Sequence, residues 1–390
     1  MSRDNRLLAL ALLLWGLGEG QFLYVQPLYL RELGADPIGI GAALSLAAAA
    51  AGLAHLPAGY LADHFGRKKI MVAGFGLGAL AGLLMFLAPS LTLFVAALMV
   101  YNLTAFVLAP LSAYITEARG GQSVQRALTL VFAWFWAGNI VSPAIGGWIG
   151  ATFGLRFAIG SGCLFLLLST ALLFGLRAQA VVPAAAGAAR YGPLLRNRRL
   201  LGFLALILAA LFALQVGVPL MPNFIEEVRG GDIVLIGLLG SVNALGNTAA
   251  NLVFGQLRRP RRGFLIAQAA MAGSLALLLA TGNRPLLFAA YFLRSGWNLS
   301  VSMGLAQVGR MVGQHEIGLA YGLLETVVAA AQMLGPLAAG ALYTAAPALP
   351  FQVSLGLIAV TLLLTWRFAP RRDRHSEAEA AAPAAAQDTG

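Results

Sequence analysis

The chain has 390 residues, of which 59% are hydrophobic and 11% charged, and a mean hydropathy of +0.80; so apolar a composition excludes a soluble domain. The net charge of +11 does not gather on one face but lies in short clusters between apolar runs, a pattern of membrane orientation that argues against a nucleic-acid partner. The single cysteine, Cys163, falls in an apolar stretch, so no intrachain disulfide can form and redox chemistry is not expected.

A bilayer core of about 30 Å is crossed by roughly 20 helical residues. Runs of that kind start near Leu7, Pro37, Ile70, Leu91, Ala127, Phe157, Leu200, Ile233, Phe264, Pro285, Ile317 and Phe351. The sequence therefore predicts twelve spans with both termini on one side. Among the Lys and Arg residues only Arg31, Arg156, Arg229 and Arg284 fall on the opposite side and Arg294 within a span, so the termini are predicted to be cytoplasmic. Arg3 and Arg6 precede an apolar run as in a secretory leader, yet no clear cleavage site follows and further hydrophobic segments do.

Span one carries Glu19 near its middle, flanked by Gly16, Gly18 and Gly20, with Gln21 and Gln26 further along. Trp15 lies one turn before the acid, and Phe22 and Leu23 one turn after it. Span two is rich in Ala and runs into the turn from Gly59 to Lys69, where Gly66 permits a sharp bend and Arg67, Lys68 and Lys69 hold the loop in the cytoplasm. Span four holds Tyr101, Asn102 and Thr104 and ends in Glu117 and Arg119, and Arg126 opens span five. Span five contains Gly138, Asn139, Ser142, Pro143, Gly146 and Gly147. From Ala178 to Arg199 the composition shifts to Pro, Ala, Gly and Arg, which divides the chain into a six-helix bundle over 1–177, a linker over 178–199, a second bundle over 200–368 and a structureless tail over 369–390.

In the second half, Gln215 lies on span seven, and Asn243, Asn247 and Asn251 recur every four residues on span eight. Tyr291, Arg294 and Asn298 share one face of span ten, and Tyr321, Glu325 and Gln332 lie along span eleven. The halves show weak self-similarity. An offset of 196 lays Tyr101-Asn102-Leu103-Thr104 on Trp297-Asn298-Leu299-Ser300, and an offset of 193 lays Ser142-Pro143 and Gly147 on Gly335-Pro336 and Gly340. Spans three, six, nine and twelve have no charge in their middles and are expected to face lipid, whereas spans one, four, five, seven, eight, ten and eleven carry the polar groups expected around a water-filled cavity.

Two of these stretches resemble motifs of the major facilitator superfamily. The turn Gly59-Tyr60-Leu61-Ala62-Asp63-His64-Phe65-Gly66-Arg67-Lys68 is similar to the loop between the second and third helices of that family, with His64 where a permanent cation is commoner. Gly138 to Gly147 resembles the fifth-helix signature of family antiporters, with Ser142 replacing the central Gly. The resemblance implies an all-α membrane protein whose twelve transmembrane helices form two pseudo-symmetric six-helix bundles working by alternating access, and it implies a transporter rather than an enzyme. It also implies a conformational gate of Gly59, Asp63, Gly66, Arg67, Lys68, Glu117, Arg126, Gly138, Pro143 and Gly147, in which Asp63 meets the start of span eleven and Arg67 pairs with Glu117.

Glu19, Arg294 and Glu325 lie inside spans, where each ionisable group costs about 2.5 to 3.5 kcal/mol and marks function by default. Glu19 and Glu325 are the candidate proton-coupling residues. Glu19 has no cation on its own face and is the principal candidate; Arg294 either pairs with Glu325 or receives an anionic group. Trp15, Gln21, Tyr101, Asn102, Asn139, Gln215, Asn243, Asn247, Tyr291, Arg294, Asn298, Tyr321 and Gln332 are candidates for the substrate cavity. There is no phosphate-binding Gly-Lys-Ser loop and no cluster of metal ligands, so no metal and no cofactor beyond a coupling proton is expected. The expected function is proton-coupled efflux of a small amphipathic or cationic compound. The alternatives are a symporter or facilitator for a sugar or organic anion, and a lipid or lysolipid translocase. The expected setting is a monomer in a prokaryotic inner (plasma) membrane, with a small-molecule substrate and membrane lipids as partners.

Overall fold

In a bilayer every backbone N–H and C=O of an apolar segment must be paired, and a helix does this within the segment itself. The computed structural model describes residues 1–54, 66–179, 194, 196–254, 260–313 and 316–369, and among the described residues the regular structure is helical. The first half comprises span one (Arg3–Leu23 continued by Gln26–Glu32), span two (Pro37–Ala54), span three (Arg67–Leu87), span four (Leu91–Leu103, the 3-10 turn Thr104–Val107, then Leu108–Glu117), span five (Val124–Phe153) and span six (Leu155–Leu173). The second half repeats the series as span seven (Arg198–Val216 and Met221–Arg229), span eight (Ile233–Phe254), span nine (Pro260–Ala280), span ten (Arg284–Leu293 and Gly296–Gly309), span eleven (Ile317–Ala345) and span twelve (Leu349–Phe368).

Eleven of these qualify as membrane-crossing helices by length and apolarity. Span ten is the twelfth, and its two pieces, broken at Arg294 and Ser295, are each too short to cross alone. Local chemistry sets several of the boundaries. Ser2, Ser90, Ser123 and Asn197 each accept a backbone N–H of the first turn of the helix they precede. Pro27 and Pro222 stand in the first turn of the second pieces of spans one and seven, where a missing N–H breaks no helical bond.

Within the first bundle, span one threads between spans five and six through small residues. A methyl group on Gly18 would come within 2.7 Å of the Gly162 carbonyl oxygen, and one on Gly138 within 2.5 Å of the Leu13 carbonyl oxygen. Hydroxyls reinforce this close approach: Ser142 donates to the Gly16 carbonyl at 3.0 Å and Ser169 to the Ala11 carbonyl at 2.7 Å. Spans three, six, nine and twelve pack on spans of their own bundle and turn Leu80, Leu87, Phe157, Leu164, Ile266 and Leu363 outward.

The bundles meet through spans two and eleven and through spans five and eight. A methyl on Gly340 would lie 3.0 Å from the Ile38 Cα, and one on Gly147 2.8 Å from the Gly237 Cα. Beyond these crossings Arg31 bridges Glu226 and Glu227, at 2.5 Å from Glu227, and the Tyr343 hydroxyl donates to Glu227 at 2.5 Å. These contacts lie in the halves of the spans away from the termini, so the face opposite the termini is closed. Arg31→Ala is expected to shift the balance toward opening of that face by a few-fold only. The pair is about one-third exposed, and ion pairs of that exposure contribute about 0.2 to 1 kcal/mol. Distances between spin labels on the outer ends of spans one and seven would read the shift, and an unchanged distribution would remove the ion pairs from the closing contact.

Candidate functional site

Where the bundles meet, a cavity of about 510 Å³ is lined by spans one, two, four, five, seven, eight, ten and eleven. Glu19, Gln26, Asn102 and Asn139 supply its polar wall from the first bundle, and Gln215, Asn243, Asn247, Arg294, Asn298 and Gln332 supply it from the second. The internal repeat orders this wall. The offset of 196 relates Glu19 to Gln215 and Asn102 to Asn298, and the offset of 193 relates Asn139 to Gln332, so equivalent helix positions of the two halves face one volume. The pairs differ in charge. Among the described lining residues Glu19 is the one acid and Arg294 the one base, on opposite bundles.

The break in span ten positions Arg294 at the end of a helical piece. Its guanidinium lies 5.5 Å from the ring centre of Tyr24, across the bundle interface, and 5.3 Å from that of Tyr291. Its Nη1 is buried and, among the described residues, has no hydrogen-bond partner. The Tyr24 hydroxyl donates to Asn243 Oδ1 at 2.9 Å, and Asn243 Nδ2 donates to the Tyr291 carbonyl at 3.0 Å, which ties the first bundle to the second beneath the cation. Among the described residues no ion pair joins Arg294 to Glu325, and Glu325 does not line the cavity. The guanidinium of Arg294 lies between Tyr24 of the first bundle and Tyr291 of its own.

The Major Facilitator Superfamily sequence profile matches residues 8–232 and 206–388. The chain belongs to the major facilitator superfamily. It is 27% identical over 359 residues to the class G tetracycline resistance protein of Vibrio anguillarum, covering 86% of this chain and 90% of that protein. Its fold is similar to a variant of the nucleoside transporter NupG, with a TM-score of 0.83 at 15% identity over 94% of this chain and 100% of the other. It is also similar to the peptide transporter POT in complex with sulfate, with a TM-score of 0.78 at 14% identity over 95% of each chain. This major facilitator is thus an integral membrane transporter of small molecules and not an enzyme.

The remaining candidate residues of the transporter divide by location. Trp15 and Tyr101 do not line the central cavity but a second one inside the first bundle, where their rings stack at 6.0 Å. Gln21 is buried against span six, donating to the Leu17 carbonyl at 3.1 Å and accepting from Ser161 at 2.5 Å. Two residues after Glu19 on a helix, it is turned to the far side of the cavity-facing stripe. Tyr291 is fully buried beneath Arg294, and Tyr321 packs against Gly309 at the junction of spans ten and eleven; neither lines the cavity. Span two contributes Leu44, Ala47, Ala48 and Ala51, and Trp136 and Trp297 also line the cavity. The alanines carry no polar signal, although the match of Trp297 to Tyr101 in the repeat pointed to its neighbourhood.

The gate residues divide as well. Gly66, at φ 83°, precedes span three, where Arg67 pairs with Glu117 at the end of span four and accompanies Gln179 at 3.2 Å. Lys68 donates to the Phe174 carbonyl at 3.0 Å and the Leu176 carbonyl at 2.5 Å, a cation at the C-terminus of span six. These contacts lie within the first bundle and, at Gln179, the start of the linker. Arg126 donates its backbone N–H to Ser123 Oγ at 3.3 Å, in the cap of span five. Gly138 packs on span one and is not a contact between bundles, whereas Pro143 and Gly147 both meet Gly237 across the interface. Gly59 and Asp63 lie outside the described residues.

Proposed function

We propose that this transporter exports a small amphipathic compound in exchange for protons, from a prokaryotic inner membrane with both termini in the cytoplasm. The observation that carries the reading is Glu19, the one acid among the described lining residues of the central cavity. A carboxylate inside a membrane span is costly, and either a proton or a polar cargo group relieves the cost. Alternating access offers that choice to each side of the membrane in turn, which links proton entry to cargo exit. The likeness to a tetracycline resistance protein supports export over import. The basic clusters on the face of the termini support their cytoplasmic placement.

Arg294 favours a second reading. Its Nη1, unpartnered among the described residues, fits a carboxylate or similar group, so the cargo would be an organic anion moved without a compensating proton. Inside-out vesicles loaded with acid separate the two, with tetracycline as the probe. The export reading expects tetracycline to accumulate and the pH gradient to decay faster on its addition. Uptake that only equilibrates, ignores the gradient and disappears in Arg294→Gln would favour the anion reading instead.

A further inference from the structure

The second cavity of the first bundle, about 380 Å³, lies between spans one to five. Span four borders it where its helix gives way to the 3-10 turn Thr104–Val107 before resuming at Leu108. The walls are rings: Trp15, Phe75, Tyr101, Phe132, Phe135 and Trp136. Trp15 lies 4.5 Å from Phe75 and stacks on Tyr101, which meets Phe22 edge-on at 5.5 Å. The chamber adjoins the central cavity, and Glu19, Ala51, Asn102, Phe135 and Trp136 line both.

The polar atoms around this chamber are mostly spoken for. Asn102 Nδ2 donates to the Leu98 carbonyl at 2.9 Å and Thr104 to the Tyr101 carbonyl at 2.6 Å. The Tyr101 hydroxyl is buried, with Trp15 beside it. Ordered water needs two to four polar partners, which so apolar a wall supplies poorly. A wall of aromatic rings favours an apolar occupant. Among the described residues no Lys, Arg or His lines the chamber, and the one ionisable acid, Glu19, stands at its junction with the central cavity. Ring faces attract cations and the carboxylate pairs with one.

We propose that this chamber is a second binding subsite, which takes the bulky aromatic end of a hydrophobic cation while Glu19 holds the charge at its mouth. The inference deepens the export reading by naming the cargo class and rests on it only for the direction of movement. Both cavities then act on one ligand: the apolar end seats among the rings, and polar groups extend toward the asparagines and Arg294. The arrangement matches the general form of small-molecule sites, in which aromatic walls supply most contacts and a few polar groups fix orientation.

Calorimetric binding to the full chain in lipid nanodiscs, with no gradient imposed, tests it. The probes are tetraphenylphosphonium and the neutral triphenylphosphine oxide. Ala105 and Leu108 line the chamber and not the central cavity. Ala105→Phe and, independently, Leu108→Trp are expected to weaken both probes by about tenfold or more, a change of about 1.4 kcal/mol. Glu19→Gln is expected to weaken the cation about tenfold and the neutral probe less than about twofold. If both chamber-filling variants bind the two probes as the parent does, or the parent binds neither, the chamber is not a subsite. If those variants lose co-purifying phospholipid while the probes are unaffected, an acyl chain is the occupant and the proposal is overturned. Failure of the export reading shows separately, as absence of gradient-driven movement in vesicles by a parent protein that binds the probes.

Discussion

Glu19→Gln is expected to abolish proton-driven accumulation of cargo in reconstituted vesicles while leaving passive counterflow exchange detectable. The amide keeps the size and hydrogen-bonding capacity of the acid but cannot take up or release a proton at any working pH. The fold should tolerate it, because the second bundle already presents Gln215 at the position related to Glu19 by the repeat, facing the same cavity. One pH unit is worth about 1.4 kcal/mol per proton, so a one-for-one exchanger accumulates cargo about tenfold per unit, and the variant should show none of it. Glu325→Gln should keep its coupling, since Glu325 lies outside the cavity lining. Full coupling in Glu19→Gln with loss in Glu325→Gln would exchange the two roles. Full coupling in both would remove proton exchange through these acids as the mechanism.

Much of this architecture was legible because the bilayer imposes it. A span must be long and apolar, so the twelve runs could be counted from composition, and an ionisable group inside one is rare enough that Glu19 and Arg294 stand out. The break of span ten was not legible. The stretch around Arg294 reads as an uninterrupted apolar run, and the helix parts only at Arg294 and Ser295, where the guanidinium crosses to Tyr24 of the other bundle. Gln21 illustrates the limit of polarity as a signal. Polar and close to Glu19, it resembles a cavity residue, but helix rotation delivers it to Ser161 of span six. The walls made by span two were invisible for the opposite reason, since alanine looks the same facing lipid, protein or a cavity. The aromatic chamber was hidden too: Trp15, Phe75 and Phe132 are ordinary residues of a membrane helix, and nothing in their spacing shows that they surround one volume beside the 3-10 turn of span four.

Gly147→Leu is expected to disfavour closure of the face opposite the termini, by about 5- to 150-fold in the balance of the two conformations. Overpacking a tight contact costs about 1 to 3 kcal/mol, which corresponds to that range. The neighbours of Gly147 are backbone atoms. A methyl there would lie 2.8 Å from the Gly237 Cα and 2.9 Å from the Ile233 carbonyl oxygen, so no side chain can rotate aside and spans five and eight must separate. Because the two glycines face each other across the bundles and not within one, the strain falls on the closed conformation alone. The variant should therefore fold, bind cargo and fail to cycle. Spin labels at Thr152 and Val228, both exposed on the far side, should report a longer distance in Gly147→Leu and an unchanged one in Gly202→Leu, where no atom lies within 4 Å of an added methyl. Reciprocity supplies a second readout: a partner or probe that binds only the open far face should gain affinity by the same factor as closure is disfavoured. A parent-like distance distribution together with parent-like transport would show that the meeting of Gly147 and Gly237 does not limit closure, and would leave the crossing of spans two and eleven at Gly41 and Gly340 to do so.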